Sequence, residues 1–252
     1  MPGKILNRDF LQAIINPQSI CPICGTTKSQ LLNTGICVGC TETLIKPSAP
    51  YCERCHKVLA TDSYAAGMDA YGNLICADCE RYQTRHFSCN RSAFLYNEPA
   101  RELIELYKYF GKESLAKPLA KLLAETYREY YKQLNIDLIS SIPLHESRLR
   151  ERSFNQAKLL AVELSRFTGI PYADLLVKKK ATAKLSQGTR SERFRQLEHS
   201  FEFVGASISG LRVLLIDDIY TTGATAEQAS SKLVSAGAAE VLLLTLARAY
   251  EK

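Results

Sequence analysis

The stretch Val213–Thr225, VLLIDDIYTTGAT, decides how the rest of the chain is interpreted. It predicts an apolar strand that ends in two acids, Asp217 and Asp218, followed by a short hydroxyl-rich turn and a helix. Free backbone N–H groups at a helix start bind phosphate, and Gly223 permits close approach of the backbone. Carboxylates at a strand end suit hydroxyl groups, directly or through a hydrated magnesium ion. We therefore predict an anion site at the carboxyl end of a parallel strand.

A simpler interpretation of the same stretch needs no ligand, because a helix N-cap with acids beside it is a common structural device. Two other phosphate-binding motifs are excluded. The chain contains neither the Walker sequence G-x-x-x-x-G-K-[ST] nor the dinucleotide fingerprint G-x-G-x-x-G.

Strand and helix signals alternate from Ser92 onward, which is typical of a parallel sheet in an α/β domain. The predicted strands are short apolar runs, and the predicted helices carry apolar residues at helical spacing. In chain order we predict a strand over Ala93–Tyr96, a helix from Pro99, a helix over Ser114–Gln133, a strand over Asp137–Ile142, a helix over Phe154–Phe167, a strand over Val213–Ile216, a helix over Ala226–Ala236 and a strand over Val241–Leu246.

All nine cysteines lie before this region, between residues 21 and 89, and eight of them form four C-x-x-C pairs. A two-residue spacer lets both sulphurs converge on one ion, and two such pairs complete a tetrahedral zinc site. We predict two structural zinc sites, formed by Cys21, Cys24, Cys37 and Cys40 and by Cys52, Cys55, Cys76 and Cys79. Pairing across these groups, or a set of disulfides or free thiols, is the alternative. Cys89 is left over, and His56 and His86 are predicted to be surface residues.

The composition places the protein among ordinary globular chains, with 46% hydrophobic and 23% charged residues in 252. No apolar run has the length of a signal or a membrane helix, which predicts a cytoplasmic protein without membrane insertion. Lys and Arg number 32 against 26 Asp and Glu, a formal charge of +6. Two zinc ions with four thiolates each would lower this to about +2. Residues 178–195 hold seven basic residues and one acid, so the basicity is local.

The first stretch also resembles the ribose-phosphate motif of type I phosphoribosyltransferases, which bind phosphoribosyl pyrophosphate (PRPP). Pro143-Leu144-His145, followed by RSFNQ at residues 152–156, resembles the P-L-H … R-G-F-N-Q segment of the ComF-like family. This resemblance extends from Cys21 to Ala249. It implies a double zinc-ribbon domain over residues 1–90 and an α/β domain over residues 91–252, with a type I phosphoribosyltransferase-like parallel sheet flanked by helices.

The resemblance assigns roles to individual residues. Asp217 and Asp218 would be the catalytic acids, facing the ribose hydroxyls and the magnesium ion. The ribose phosphate would be held by Thr221, Thr222, Gly223, Ala224 and Thr225. The pyrophosphate loop would comprise Pro143, Leu144, His145 and Arg152, and a flexible loop over residues 181–201 would contribute Gln187 and Arg193. Ser153 stands where the family usually has glycine.

The resemblance further implies a PRPP-binding protein associated with DNA uptake and natural transformation. The expected reaction displaces pyrophosphate from C1 of the ribose, with the acceptor unspecified and turnover itself left open. Thr221 occupies the position at which oxopurine salvage enzymes carry an aspartate, which argues against hypoxanthine-guanine salvage. The alternative is a non-catalytic accessory protein of competence that binds single-stranded DNA or senses PRPP, with other competence proteins as partners.

Overall fold

The computed structural model describes residues 20–26, 31–59, 66–81, 85–109, 113–180, 197 and 199–249. Most of the predicted flexible loop falls between these ranges, so Gln187 and Arg193 lie outside the described residues. Within the described ranges, no helix combines the length and the apolar character that a membrane span requires.

The cysteine-rich region forms small elements around its metal-ligand pairs. Its helices are α1 (Val38–Glu42) and α2 (Ala77–Arg81), and its strands are β1 (Ala66–Met68) and β2 (Leu74–Cys76). β1 and β2 pair antiparallel as a hairpin. Such short elements have little apolar surface of their own to bury, so their order depends on the cysteine clusters and on the core beneath them.

The strands that follow are β3 (Asn90–Leu95), β4 (Leu138–Ser141), β5 (Leu176–Lys178), β6 (Phe201–Phe203), β7 (Arg212–Tyr220) and β8 (Glu240–Arg248). Four of them form a parallel sheet in the order β3-β8-β7-β4. β5 and β6 pair antiparallel as a separate two-stranded sheet. The central strands β7 and β8 are the longest and the most apolar, as expected where both faces of a parallel sheet are covered.

The helices that cover the sheet are α3 (Glu98–Tyr109), α4 (Ala116–Tyr130), α5 (Glu146–Arg152), α6 (Gln156–Thr168) and α7 (Ala224–Ser235), with a 3₁₀ turn over Glu113–Leu115. Because successive strand residues point to opposite faces, β7 contributes to two cores. Leu214 and Ile216 pack with residues of α3, α4 and α6, whereas Val213 and Leu215 pack with residues of α7, β5 and β6. The predicted parallel sheet flanked by helices is confirmed.

Several element boundaries differ from the predictions, and three of them bear on the site or have a clear cause. β7 continues to Tyr220, which still pairs with Arg248 of β8, so Asp217 and Asp218 lie inside the strand and not after it. β3 begins at Asn90 because its buried polar residues are hydrogen-bonded: the Asn90 amide donates to Ser92 Oγ at 3.0 Å. α6 begins at Gln156 because Asn155 caps it, its side-chain oxygen accepting from two backbone N–H groups.

The cysteine-rich region packs on both faces of the sheet. Cys21 and Cys37 belong to the core of α3, α4 and α6, whereas Cys52 and Cys79 belong to the core of α7. β3 begins at Asn90, next to the predicted domain boundary between residues 90 and 91. That boundary stays a prediction.

Candidate anion site and metal centres

The loop between β7 and α7 consists of Thr221, Thr222 and Gly223. Gly223 precedes the helix with φ +81°, in the left-handed region, and as a glycine it has no side chain with which to cap the helix. A Cβ at this position would lie 2.3 Å from Tyr220 Oη, so only glycine fits. Thr222 Oγ1 accepts from the Ala224 N–H at 3.4 Å, a long contact. The first turn of α7 thus retains donors and a positive dipole end for an anion.

Asp217 and Asp218 lie just before this loop and are compensated by two lysines. Lys108 Nζ of α3 is 2.7 Å from Asp218 Oδ2, and both side chains are largely buried. Asp217 Oδ1 accepts from the Asp218 N–H at 2.8 Å. Burial, together with the adjacent Asp218 carboxylate, raises the pKa of Asp217 to about 7. Burial also lowers the pKa of Lys178, against the attraction of Asp217.

This donor set fits a hydrated magnesium ion or ribose hydroxyls. Carboxylate oxygens are the ligands that magnesium prefers, and one or two carboxylates suffice when the ion keeps its waters and a phosphate. Asp218 is held by Lys108 in the structure, so a ligand would share or replace that contact. Asp217 and Asp218 are therefore the residues that would hold the ion.

The segment Pro143–His145 follows β4, whose Ser141 pairs with Ile216 of β7. Because the two strands are parallel neighbours, their carboxyl ends share one edge of the sheet with the β7–α7 loop. The structure thus brings the predicted pyrophosphate loop to the edge that carries Asp217.

His145 and Arg152 have defined roles at the two ends of α5. His145 caps the helix, with Nδ1 accepting from the Ser147 N–H at 3.2 Å. Arg152 Nη1 donates to Gln156 Oε1 at 3.2 Å. Ser153 follows with φ +67°, a conformation that explains why glycine is usual in the similar family segment.

Sequence reasoning missed Lys108. It lies near the end of an amphipathic helix, where a lysine is ordinarily a solvated residue, and no local pattern distinguishes it. Only the packing of α3 against the sheet places its ammonium beside Asp218. Lys178 was noticed as part of a basic run, but its proximity to Asp217 was not predictable from that run.

The eight paired cysteines form the two predicted groups. One contains Cys21, Cys24, Cys37 and Cys40 and the other contains Cys52, Cys55, Cys76 and Cys79, with all sulphurs of each group within 4.8 Å of one another. A tetrahedral zinc ion with Zn–S bonds of ~2.3 Å needs S–S separations of about 3.8 Å. Cys24 and Cys37 sulphurs are 3.5 Å apart, and Cys55 and Cys76 sulphurs are 3.7 Å apart. Both groups fit a zinc ion, and the sequential pairing is confirmed.

The two groups are built alike. In each, the first C-x-x-C pair lies in a tight turn: the Gly25 N–H donates to the Cys21 carbonyl at 2.9 Å, and the His56 N–H donates to the Cys52 carbonyl at 2.8 Å. The second pair lies at the start of a short helix, α1 for Cys37 and α2 for Cys76. This repeat explains the equal C-x-x-C spacing.

The prediction that His56 is a surface residue is wrong. His56 has φ +63°, which closes the turn after Cys55 and leaves its side chain buried beside Tyr51 and Tyr130. Its Nδ1 accepts from the Ser92 N–H at 2.9 Å. Burial, with Arg91 nearby, lowers the pKa of His56 to about 3, so the ring stays neutral.

His86 and Cys89 behave as predicted. His86 is about half exposed, with Nδ1 2.5 Å from Glu227 Oε1. Cys89 is partly buried, its sulphur 3.6 Å from Tyr131 Oη, and it lies outside both cysteine groups.

Comparison with known proteins gives similarity over most of the chain, although no family model matches. The competence protein ComFC of Bacillus subtilis (strain 168) is 31% identical over 215 residues, which cover 81% of this chain and 87% of that protein. The competence protein ComFC of Streptococcus pneumoniae is 30% identical over 240 residues, 90% of this chain and 99% of that protein.

Among solved structures, the glutamine PRPP amidotransferase of B. subtilis is 22% identical with a TM-score of 0.39. The match covers 56% of this chain and 30% of that one. A similarity this weak carries no argument about the fold, which is defined by the strand order and the helix placement.

Proposed function

Since the chain belongs to the family of the competence protein ComFC, we propose that it is a PRPP-binding, phosphoribosyltransferase-like protein of DNA uptake. Its two cysteine groups hold structural zinc ions, and magnesium accompanies the PRPP. A cytoplasmic location, where thiols stay reduced, is part of the same proposal.

One observation carries the PRPP assignment: two carboxylates, two lysines and an uncapped helix start meet at one strand end. A phosphate alone would need only the loop and the α7 dipole. The carboxylates Asp217 and Asp218 add acceptors for neighbouring hydroxyl groups, as a ribose 5-phosphate offers them. Lys108 and Lys178 supply positive charge beside them for a further phosphate. A sugar phosphate that also carries pyrophosphate offers a phosphate for the loop, hydroxyl groups for the carboxylates and further negative charge for the lysines.

In this assignment each segment contacts one part of the ligand. The 5′-phosphate is bound by Thr221, Thr222, Gly223, Ala224 and Thr225. Asp217 and Asp218 bind the ribose hydroxyls and the hydrated magnesium ion. The pyrophosphate is bound by the segment Pro143–His145 with Arg152, and Gln187 and Arg193 of the predicted flexible loop, outside the described residues, are assigned to the same group.

If the protein is an enzyme, it transfers the ribosyl group with loss of pyrophosphate from C1. His145, in the segment assigned to the pyrophosphate, is engaged as a helix cap. Catalysis would depend on positioning and on charge stabilisation of the departing pyrophosphate. The acceptor is the open part of this proposal.

Calorimetric titration of PRPP with and without magnesium tests ligand binding. We expect binding that magnesium strengthens, and loss of binding in the double variant Asp217→Asn/Asp218→Asn. Glu202→Gln is the matched control. Glu202 is an exposed acid of β6 that pairs with Lys179, and it lies outside the assigned site. Absence of heat at millimolar PRPP would refute the assignment, as would equal binding by the double variant.

Metal analysis tests the zinc part of the proposal. We expect two zinc ions per chain, one fewer in Cys24→Ser and one fewer in Cys79→Ser. Because structural zinc contributes directly to folding, removal by a chelator should also lower the midpoint of thermal unfolding. A metal-free protein with an unchanged midpoint would contradict it.

Single-stranded DNA binding is the second candidate, favoured by family membership and by the lysine run Lys178–Lys180, whose first member is attracted to Asp217. Such binding would be electrostatic and would weaken steeply with salt. Anisotropy of a labelled oligonucleotide between 50 and 200 mM salt measures it. Competition between PRPP and the oligonucleotide would place both at one site, whereas a salt-independent or absent signal would exclude this function.

A further inference from the structure

We propose that the second cysteine cluster, Cys52/Cys55/Cys76/Cys79, positions the phosphate loop through Arg85 and Arg248, so that metal binding at this cluster and ligand binding at the loop are coupled. The ligand half of this inference rests on the proposed function. The structural half, that the cluster orders the loop, stands on contacts among this chain's own residues.

Arg248, the last residue of β8, connects the cluster to the loop backbone. Its Nε donates to the Cys55 carbonyl at 2.8 Å, and its Nη2 lies 3.4 Å from Cys55 Sγ. Its Nη1 donates to the carbonyls of Thr221 at 3.2 Å and Tyr220 at 3.4 Å. The side chain is buried, so these contacts fix it between a metal-ligand residue and the first residue of the phosphate loop.

Arg85 makes a second connection from a different segment. Its Nη2 lies 3.5 Å from Cys79 Sγ, and its Nη1 donates to Tyr220 Oη at 2.8 Å. The guanidinium also lies over the ring of Phe87, 5.3 Å from its centroid. Arg85 thus spans from the cluster to the side chain on which the loop rests.

Tyr220 supports the loop directly. A Cβ built on Gly223 would lie 2.3 Å from Tyr220 Oη and 3.2 Å from Arg85 Nη1. The loop glycine therefore packs on the Arg85–Tyr220 hydrogen bond itself. Arg248 lies over the same ring, with its guanidinium carbon 5.0 Å from the centroid.

Charge explains why the metal matters to these arginines. Four thiolates and one divalent cation carry a net charge of −2, and the two guanidinium groups that donate to the sulphurs carry +2. Removing the cation releases the four sulphurs that it holds together, so the sulphurs that Arg85 and Arg248 contact no longer have fixed positions. The loop that the two guanidinium groups hold then loses part of its support.

The first cysteine cluster provides an internal comparison, because its sulphurs receive local contacts. Cys21 Sγ accepts from the Cys37 N–H at 3.5 Å, and Cys37 Sγ accepts from the Cys40 N–H at 3.4 Å. Its buried members pack with α3, α4 and α6, on the opposite face of the sheet from α7. Loss of metal there should leave the phosphate loop in place.

Hydrogen exchange of the loop amides, residues 221–226, tests the structural half without any ligand. We expect faster exchange in zinc-loaded Arg85→Gln than in wild type, with two zinc ions still bound, and partial recovery in Arg85→Lys. Arg212→Gln is the matched control: Arg212 pairs with Glu240 at the opposite end of β7, 2.6 Å from Nε to Oε2. Cys79→Ser should also speed exchange in the loop, and Cys24→Ser should not. Identical loop exchange in wild type, Arg85→Gln and Cys79→Ser would overturn the inference.

Zinc release and ligand affinity test the coupling in both directions. PRPP should slow zinc transfer to a chelator from the second cluster, and Arg85→Gln and Tyr220→Phe should each weaken PRPP binding about fivefold or more. Because both variants remove the same hydrogen bond, their effects should not add.

If wild type fails to bind PRPP while loop exchange still depends on Arg85, the proposed function fails and the structural link stands. If PRPP binds equally to wild type, Arg85→Gln and Tyr220→Phe, the coupling fails and the proposed function stands.

Discussion

Lys108 of α3 and Asp218 of β7 form an ion pair, with Nζ 2.7 Å from Oδ2 and less than a fifth of either side chain exposed. This contact ties the end of a covering helix to the strand that carries the phosphate loop. It also neutralises one of two adjacent carboxylates that would otherwise repel each other in a partly buried site. In the proposed function, a ligand that brings its own cation would share or replace this contact.

Replacing Lys108 by methionine should destabilise the fold, because Asp218 would remain largely buried without its partner. We expect a loss of about 1–3 kcal/mol in the free energy of unfolding, measured by urea denaturation. Lys179→Met is the control, because Lys179 forms an exposed pair with Glu202 whose side chains are 60% and 57% accessible. That change should cost less than about 0.5 kcal/mol. Equal losses in the two variants would contradict the role of Lys108.

Asp217→Asn should stabilise the protein above neutral pH. The raised pKa of Asp217, about 7 in the folded protein, means that the folded state keeps a proton that the unfolded state has already released. The contribution of Asp217 to wild-type stability should fall as pH rises from about 4 to 7, since the unfolded state then binds fewer protons at this group. Asparagine removes this penalty while keeping an oxygen that can accept from the Asp218 N–H.

The difference between the two proteins should be near zero at pH 4 and about 1–3 kcal/mol at pH 8, by chemical denaturation at each pH. A difference that is constant with pH would mean that the carboxyl titrates normally. In the proposed function the same substitution weakens PRPP binding, so stability and affinity should move in opposite directions.

Ser153→Gly should stabilise the protein by about 0.5–1 kcal/mol. Ser153 ends α5 in the left-handed conformation, with φ +67°, where a Cβ is disfavoured and glycine is not. Its N–H donates to the Leu149 carbonyl at 2.8 Å, a bond that glycine retains. Thermal unfolding of Ser153→Gly and Ser153→Ala measures the effect. If alanine stabilises the protein as much as glycine does, relief of backbone strain at Ser153 is not the cause of the stabilisation.

Much of the fold was predictable because it depends on neighbouring residues. The apolar run before Asp217 gives a buried strand, the small residues after it give a turn, and Gly223 starts the helix. The cysteine groups were equally predictable, since a two-residue spacer fixes where both sulphurs of a pair point. In both cases a few consecutive residues determine the backbone.

The side chains that surround the site were not predictable for the opposite reason. Lys108, Arg85 and Arg248 reach the site from three separate segments of the chain, and nothing in their local sequence distinguishes them from solvated residues. The antiparallel pair β5–β6 was missed because each strand has only three residues. His56 was assigned to the surface because the turn that buries its ring depends on a positive φ, which residue type alone does not indicate.

Asn155 should be more sensitive to substitution than an ordinary helix cap, because its side chain makes two kinds of contact. Its Oδ1 accepts from the N–H groups of Ala157 at 3.0 Å and Lys158 at 3.4 Å, which caps α6. Its Nδ2 donates to the Ile142 carbonyl at 3.0 Å, which ties α6 to the residue before the predicted pyrophosphate loop.

Asn155→Asp keeps the cap and loses only the second contact, whereas Asn155→Ala loses both. We expect losses of about 1 kcal/mol for aspartate and about 2 kcal/mol for alanine in urea denaturation. In the proposed function, both variants should also weaken PRPP binding by displacing Pro143–His145. Full retention of stability in Asn155→Asp would mean that the Ile142 contact contributes nothing, leaving the helix cap as the whole effect of Asn155.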